Sequence, residues 1–312
     1  MTEFELISQY INSQSLSRHD VLEGIGDDCA ILSVPDNKSL AISMDTLVEG
    51  VHFPVNTPAY SIGYKSLAVN LSDLAASGAE PAWVSMSLTM PESDEKWLRD
   101  FLDGFFALAQ QFNIQLVGGD TTRGSLSISV QAHGFVQQSL LRSGARAGDL
   151  VFVSGCLGDA AAGFELFDDK DAEDTQCVKR FNEPLPRVEL GLAINSIATS
   201  CIDISDGLAS DLGHICQRSE CGAEVKLELI PLSSSFLQFY QQPNYERALG
   251  FGDDYELCFT VDKEKQDEIK KIADILNIEL TCIGKIDSNS GVRFVDSDNN
   301  NIIINKGYDH FK

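Results

Sequence analysis

The stretch YSIGYKSLAVNLSDLAASGAEPAWVSMSLTM, residues 60–90, decides the fold class. Its first part is strongly apolar and predicts a long helix over 60–77. The segment AWVSMSLT at 82–89 then predicts a strand. A helix running at once into a strand, repeated along the chain, gives a mixed α/β class. One residue disturbs the helix. Asp is a poor helix-interior residue, and a buried carboxylate is costly unless it is paired or binds metal. Ser66, Asn70, Asp73 and Ser77 fall at i, i+4, i+7 and i+11, so they form one narrow polar stripe. That stripe faces either solvent or a polar cleft in which Asp73 is a ligand.

Outward from this segment, helix and strand patterns alternate. Helices are expected over 3–12, 94–112, 159–167, 175–182, 187–199, 208–218 and 263–276. In the helix over 94–112, Trp97, Phe101, Phe105 and Leu108 recur at helical spacing. Strands are expected over 29–34, 39–44, 114–117, 126–136, 150–154, 201–204, 223–229, 255–261 and 279–286, with a terminal hairpin over 292–305. The strand over 126–136 alternates cleanly and so has one solvated or interface face. The polar, glycine-containing stretch QQSLLRSGARAGD at 137–149 marks a boundary between domains 1–137 and 138–312.

The 312 residues carry 47 Asp and Glu against 23 Lys and Arg, a formal charge of −24. So acidic a surface repels phosphate backbones and anionic membranes, which argues against a nucleic-acid or membrane binder. The opening MTEFELISQYINSQ has no basic region before an apolar run, so no secretory leader and a cytoplasmic location are expected. Eight cysteines form no CxxC pair and read as free thiols, and the five histidines give no zinc pattern.

Aspartates recur beside glycines or at element ends: Asp27 and Asp28 in GIGDD, Asp45 in SMDT, Asp120 in VGGDTTRG, Asp203 and Asp206 in CIDISDGL, Asp253 and Asp254 in GFGDDYE. A turn or helix cap accounts for any one of them. The repetition at strand ends, where sites are assembled, favours a common site. Many carboxylates with few histidines suit Mg²⁺, which takes oxygen ligands and shares them with phosphates. No P-loop or protein-kinase signature accompanies them. Glycine turns could offer N–H groups to phosphates, with Arg123, Arg142 and Arg146 nearby.

In order along the chain, GIGDDCA, SMDTLVEGVHF, YKSLAVNLSDLAASGAEP, VGGDTTRG, RSGARAGD, IDISDGLASDLGH, GDDYELCFT and KGYDHF closely resemble the thiamine-monophosphate kinases, within the aminoimidazole-ribonucleotide-synthetase-like superfamily. The resemblance covers essentially the whole chain. It implies a two-domain fold, in which the N-terminal α/β domain forms a barrel across a homodimer and a C-terminal α/β domain packs against it. It implies transfer of the γ-phosphoryl group of ATP to thiamine monophosphate, in a cleft between domains holding several Mg²⁺ ions. Carried over by motif, the metal ligands are Asp28, Ser43, Met44, Asp45, Asp73, Asp120, Asp203 and Asp206, with Asp28, Asp73, Asp120 and Asp206 central to catalysis. Gly119, Asp120, Arg142 and Ser205 would contact ATP, and His52, Asp253 and Tyr308 the thiamine substrate. Met44 stands where relatives have a small hydroxyl residue, so only its backbone carbonyl could serve a metal. Asp253 stands where relatives often have Glu, and the loop before Arg142 is short by a couple of residues. Within the superfamily, an amide-activating synthetase is the nearest rival. A selenophosphate synthetase would want a reactive cysteine before GIGDD, and a hydrogenase-maturation protein a C-terminal one. From another class, a non-catalytic nucleotide-binding scaffold would be free to lose the aspartate motifs retained here.

Overall fold

A computed structural model describes residues 14–169, 175–305 and 307. The expected helix over 3–12 and the candidate Tyr308 lie outside the described residues. The chain divides into two compact units: Met1–Leu74 with Ala79–Gln137, and Ala75–Gly78 with Gln138–Lys312.

The first unit opens with a small antiparallel ribbon of β1 (Val21–Glu23) and β2 (Ile31–Leu32). There follow β3 (Ser39–Val48), α1 (Ala59–Ala76), β4 (Glu80–Met90), α2 (Glu95–Gln111), β5 (Gln115–Arg123) and β6 (Ser127–Val136). The four long strands form one sheet in the order β3-β6-β4-β5. Only β4 and β5 run parallel, and α2 connects them. Asp94 caps α2 by accepting the Lys96 and Trp97 N–H groups, a cap worth about 1 kcal/mol. Behind that cap, Leu98, Phe101, Leu102, Phe105 and Phe106 are buried. The two helices meet closely. A Cβ on Gly63 would collide with the Phe101 carbonyl, and one on Gly104 with the Tyr60 carbonyl.

The strand over 114–117 was expected to stop before the Gly-Gly pair, yet β5 continues through Arg123. The reason is pairing: Gly119 and Asp120 lie opposite Met86 and Ser87 on β4. A Cβ at Gly119 would strike the Met86 carbonyl, so glycine there serves close strand packing rather than a turn. Likewise β3 runs to Val48 because its ladder with β6 persists to Ser127, whereas the strand expected over 29–34 shortens to β2.

The second unit contains β7 (Leu150–Ser154), α3 (Asp159–Glu165), α4 (Gln176–Asn182), α5 (Val188–Ile194), β8 (Ala198–Asp203), α6 (Leu208–Arg218) and β9 (Gly222–Lys226). It continues with α7 (Ser234–Tyr240), α8 (Tyr245–Gly250), β10 (Leu257–Val261), α9 (Gln266–Leu276), β11 (Leu280–Asp287), β12 (Gly291–Val295) and β13 (Asn301–Ile302). Its seven-stranded sheet has the order β13-β12-β9-β11-β7-β10-β8, antiparallel except where β12 meets β9. Val151, Val153, Ile202, Leu208, Leu212, Ile215, Ile283 and Phe294 build its core. The helix expected over 187–199 ends at Ile194, because Ala198 already enters β8. Helices α7 and α8 were not expected. All eight cysteines are free. Among the described residues, no helix is long and apolar enough to cross a membrane.

Candidate active site

Each unit carries its own group of carboxylates. In the first, strand alternation places Ser43 and Asp45 on one face of β3 and Met44 on the other. The Met44 side chain is 63% exposed, so it points away from that pair. Asp73 joins them from α1, where its carboxylate accepts a hydrogen bond from the Ser43 hydroxyl. Burial pushes the Asp45 carboxyl up to about 7, and the adjacent Asp73 charge and a hydrogen bond shared with Asp73 push the same way. Two carboxyl groups that share a hydrogen bond need a proton between them. A hard divalent cation could take that proton's place, since Ser43, Asp45 and Asp73 offer only oxygen donors. The donor set therefore fits Mg²⁺.

The polar stripe on α1 is not an open face along its whole length. Ser66 and Asn70 are fully buried, and they bond within the helix, to the carbonyls of Gly63 and Ser66. Only Asp73 and Ser77 are half-buried. The solvent-facing reading of the stripe thus fails, and the cleft-facing one is confined to its C-terminal end.

The remaining candidates of this unit stand apart from that pair. Asp120 is exposed, on the row of Ser87, Ser129 and Thr46, one residue off the row that contains Asp45, Val130, Met86 and Gly119. Asp28 is exposed in the loop before β2, and its N–H donates to Asp27 Oδ1 at 2.7 Å. Gly26 turns that loop with φ +125°. His52 lies in the turn after β3, where its Nδ1 accepts the Val48 N–H at 3.0 Å.

In the second unit, the SDG turn joins β8 to α6. Asp203 ends β8 and is 3% exposed, while Ser205 and Asp206 are half-buried in the turn. Gly207 adopts φ +99° and caps α6 without a side chain. The GFGDDYE loop lies against this turn. The Asp253 N–H donates to the Ser205 carbonyl at 2.8 Å, and the Tyr255 N–H to Ile204 at 2.9 Å. Asp253 and Tyr255 both hold left-handed φ, +63° and +51°, an arrangement costly for non-glycine residues. Neighbours hold the loop in place. Asp254 accepts the Gly158 N–H at 3.0 Å and that of Ala160 at 3.4 Å. Glu256, 1% exposed, takes a bidentate bond from Arg187 at 2.5 and 2.6 Å and a third from Ser154 Oγ. A side chain at Gly307 would collide with the Asp206 carbonyl, so the C-terminal segment preceding Tyr308 passes beside the same turn.

Sequence reasoning gave no role to Asp211 or His214. Both lie on α6, and oxygen or nitrogen atoms of Asp206, Asp211 and His214 come within 4.8 Å of one another. Burial drives the Asp211 carboxyl up to about 8, aided by the Asp203 and Asp206 charges and opposed by the Asp206 N–H and Arg142. Arg142, exposed in the RSGA loop, therefore stands near this group. The i, i+3 spacing of Asp211 and His214 was the available signal. Their return toward Asp206 was not readable without the turn geometry.

Two mixed α/β units in tandem place the chain in the class that the family comparisons describe. Residues 26–136 match the family described as AIR synthase related protein, N-terminal domain, and residues 146–297 match AIR synthase related protein, C-terminal domain. The chain is 47% identical to the thiamine-monophosphate kinase of Haemophilus influenzae, covering 100% of this chain and 98% of that one. The crystal structure of thiamine-monophosphate kinase from Stenotrophomonas maltophilia aligns with a TM-score of 0.87 at 45% identity, covering 94% and 96% of the two chains. AaThiL complexed with AMPPCP and TMP aligns with a TM-score of 0.80 at 33% identity, covering 99% and 97%. The chain thus belongs to the thiamine-monophosphate kinase family of AIR synthase related proteins.

Proposed function

We propose that this protein transfers the γ-phosphoryl group of ATP to thiamine monophosphate, giving thiamine diphosphate and ADP. The observation that carries this reading is family membership over the full length of the chain, with the aspartate motifs retained in order. A solved relative that binds AMPPCP, an ATP analogue, together with TMP supports the same pair of substrates.

Phosphoryl transfer asks mainly for positioning and charge neutralisation. The acceptor is a phosphate monoester whose second pKa is about 6, so it is already ionised at neutral pH. No side chain has to act as general base. The obstacle is repulsion between two polyanions at a protein of charge −24. Mg²⁺ supplies the positive charge that lets them approach. Asp28, Ser43, Asp45, Asp73, Asp120, Asp203 and Asp206 would hold the ions, with Met44 contributing through its backbone carbonyl. Gly119, Asp120, Arg142 and Ser205 would orient ATP. His52, Asp253 and Tyr308 would contact the thiamine substrate. The domains would be 1–137 and 138–312, the first forming a barrel across a homodimer in the cytoplasm. The face of β3 that carries Ile42, 54% exposed, and Met44 is the apolar edge such a barrel would cover.

Turnover of ATP should be measured with thiamine monophosphate and, separately, with unphosphorylated thiamine. ADP and thiamine diphosphate should form with the first alone. Turnover with neither would remove the kinase reading.

A further inference from the structure

We infer that Asp211 is a positioning residue that fixes the orientation of Asp206 through its backbone. This rests on the kinase reading above, in which Asp206 serves metal-bound ATP. The SDG turn is held at Ile204 and Ser205, whose carbonyls accept the Tyr255 and Asp253 N–H groups. Gly207 has no side chain with which to cap α6, so the Asp206 N–H finds its acceptor further along the helix. Asp211 supplies that acceptor. Its Oδ2 accepts the Asp206 N–H at 3.0 Å, while its own N–H donates to the Gly207 carbonyl at 3.0 Å. The two bonds close a loop from residue 206 to residue 211. This resembles a capping box, but the side chain reaches one residue beyond the cap. At 2% exposure, with Leu208, Leu212 and Ile215 of the same helix in the core, Asp211 sits on a rigid base. A carboxylate buried there finds its justification in the bond it accepts.

The hydrogen bond, rather than the negative charge, does the positioning. Asp211→Asn keeps an acceptor oxygen at the same reach and cannot ionise. Asp211→Glu keeps the carboxyl group and displaces the oxygen by one methylene. AMPPCP binding in the presence of Mg²⁺ is measured by calorimetry, alongside kcat and KM for ATP and for thiamine monophosphate, and both variants are checked by circular dichroism. Asp211→Asn should bind AMPPCP within about twofold of the parent protein. Asp211→Glu should bind about tenfold more weakly, as expected when a partner of a metal ligand is displaced. Its KM for thiamine monophosphate should stay unchanged. A weakened Asn variant beside an intact Glu variant would overturn the inference, as would two variants with the parent affinity. If Asp211→Glu does not fold, Asp211→Asn decides alone, because a tenfold loss there refutes the bond. Failure of the parent protein to turn over either substrate would instead strike the kinase reading.

Discussion

The two carboxylate groups solve the same electrostatic problem differently. In the first unit, Asp45 and Asp73 stand on regular elements, a strand and a helix, and share a hydrogen bond, while the Ser43 hydroxyl donates to Asp73. In the second, Asp206 and Asp211 straddle a turn in which a backbone N–H and the nearby Arg142 already offset part of the charge. The first group thus shares a proton between two carboxyls, and the second is tied to the backbone of its own turn. Rigid elements hold repelling charges in place, whereas a turn needs attractive contacts to keep its shape.

This contrast can be broken by mutation. Asp73→Asn should keep the fold and lower kcat by about 1000-fold, the scale of losing a main electrostatic stabiliser. Steady-state turnover at ordinary Mg²⁺ tests it, and near-parent activity would show that Asp73 is no ligand. Asp206→Asn should cost less, about 100-fold, because Arg142 and the backbone donors remain. Equal losses at both positions would erase the difference between the groups. Ser43→Ala removes one donor to Asp73 and should raise the Mg²⁺ concentration for half-maximal activity about tenfold, read from a Mg²⁺ titration.

Stability sharpens the same point. Asp45 and Asp211 have folded pKa values of about 7 and about 8, raised from the ordinary 3.8. Between these values the folded state holds protons that the unfolded chain has released, so stability falls as pH rises. In chelator, the thermal midpoint should drop from about pH 5 to about pH 8 by a few degrees. Saturating Mg²⁺ should flatten the part that ends near 7, since the cation replaces the shared proton at Asp45 and Asp73. A midpoint that rises with pH in chelator would contradict both assignments.

Much of this was legible in the sequence, for identifiable reasons. Helix α6 over 208–218 follows the apolar period closely, and strand β7 over 150–154 is a continuous apolar run. The ordered aspartate motifs identified the family, and strand alternation shows why the Met44 side chain faces away from Ser43 and Asp45. Helices α7 and α8 escaped because SSFLQFY and YERALG are too short to show a period. The extension of β5 escaped because Gly-Gly locally signals a turn, while its actual reason, the β4 backbone, is remote in sequence. Ser66 and Asn70 misled for the opposite reason. The Ser66 hydroxyl and the Asn70 amide N–H both donate to carbonyls of their own helix, which lets these donors lie in a core.

The glycines at the crossing of α1 and α2 have a mechanical consequence. With no side chain at Gly63 or Gly104, each helix is spaced by the other's main chain. Main chain cannot be compressed or change rotamer, so the crossing works as a hard stop for the helix bearing Asp73. Gly104→Ala would thicken that stop and alter the gap between two carboxylates it never touches. The tolerance of the carboxylate-bearing end of α1 is thus set by two absent methyl groups.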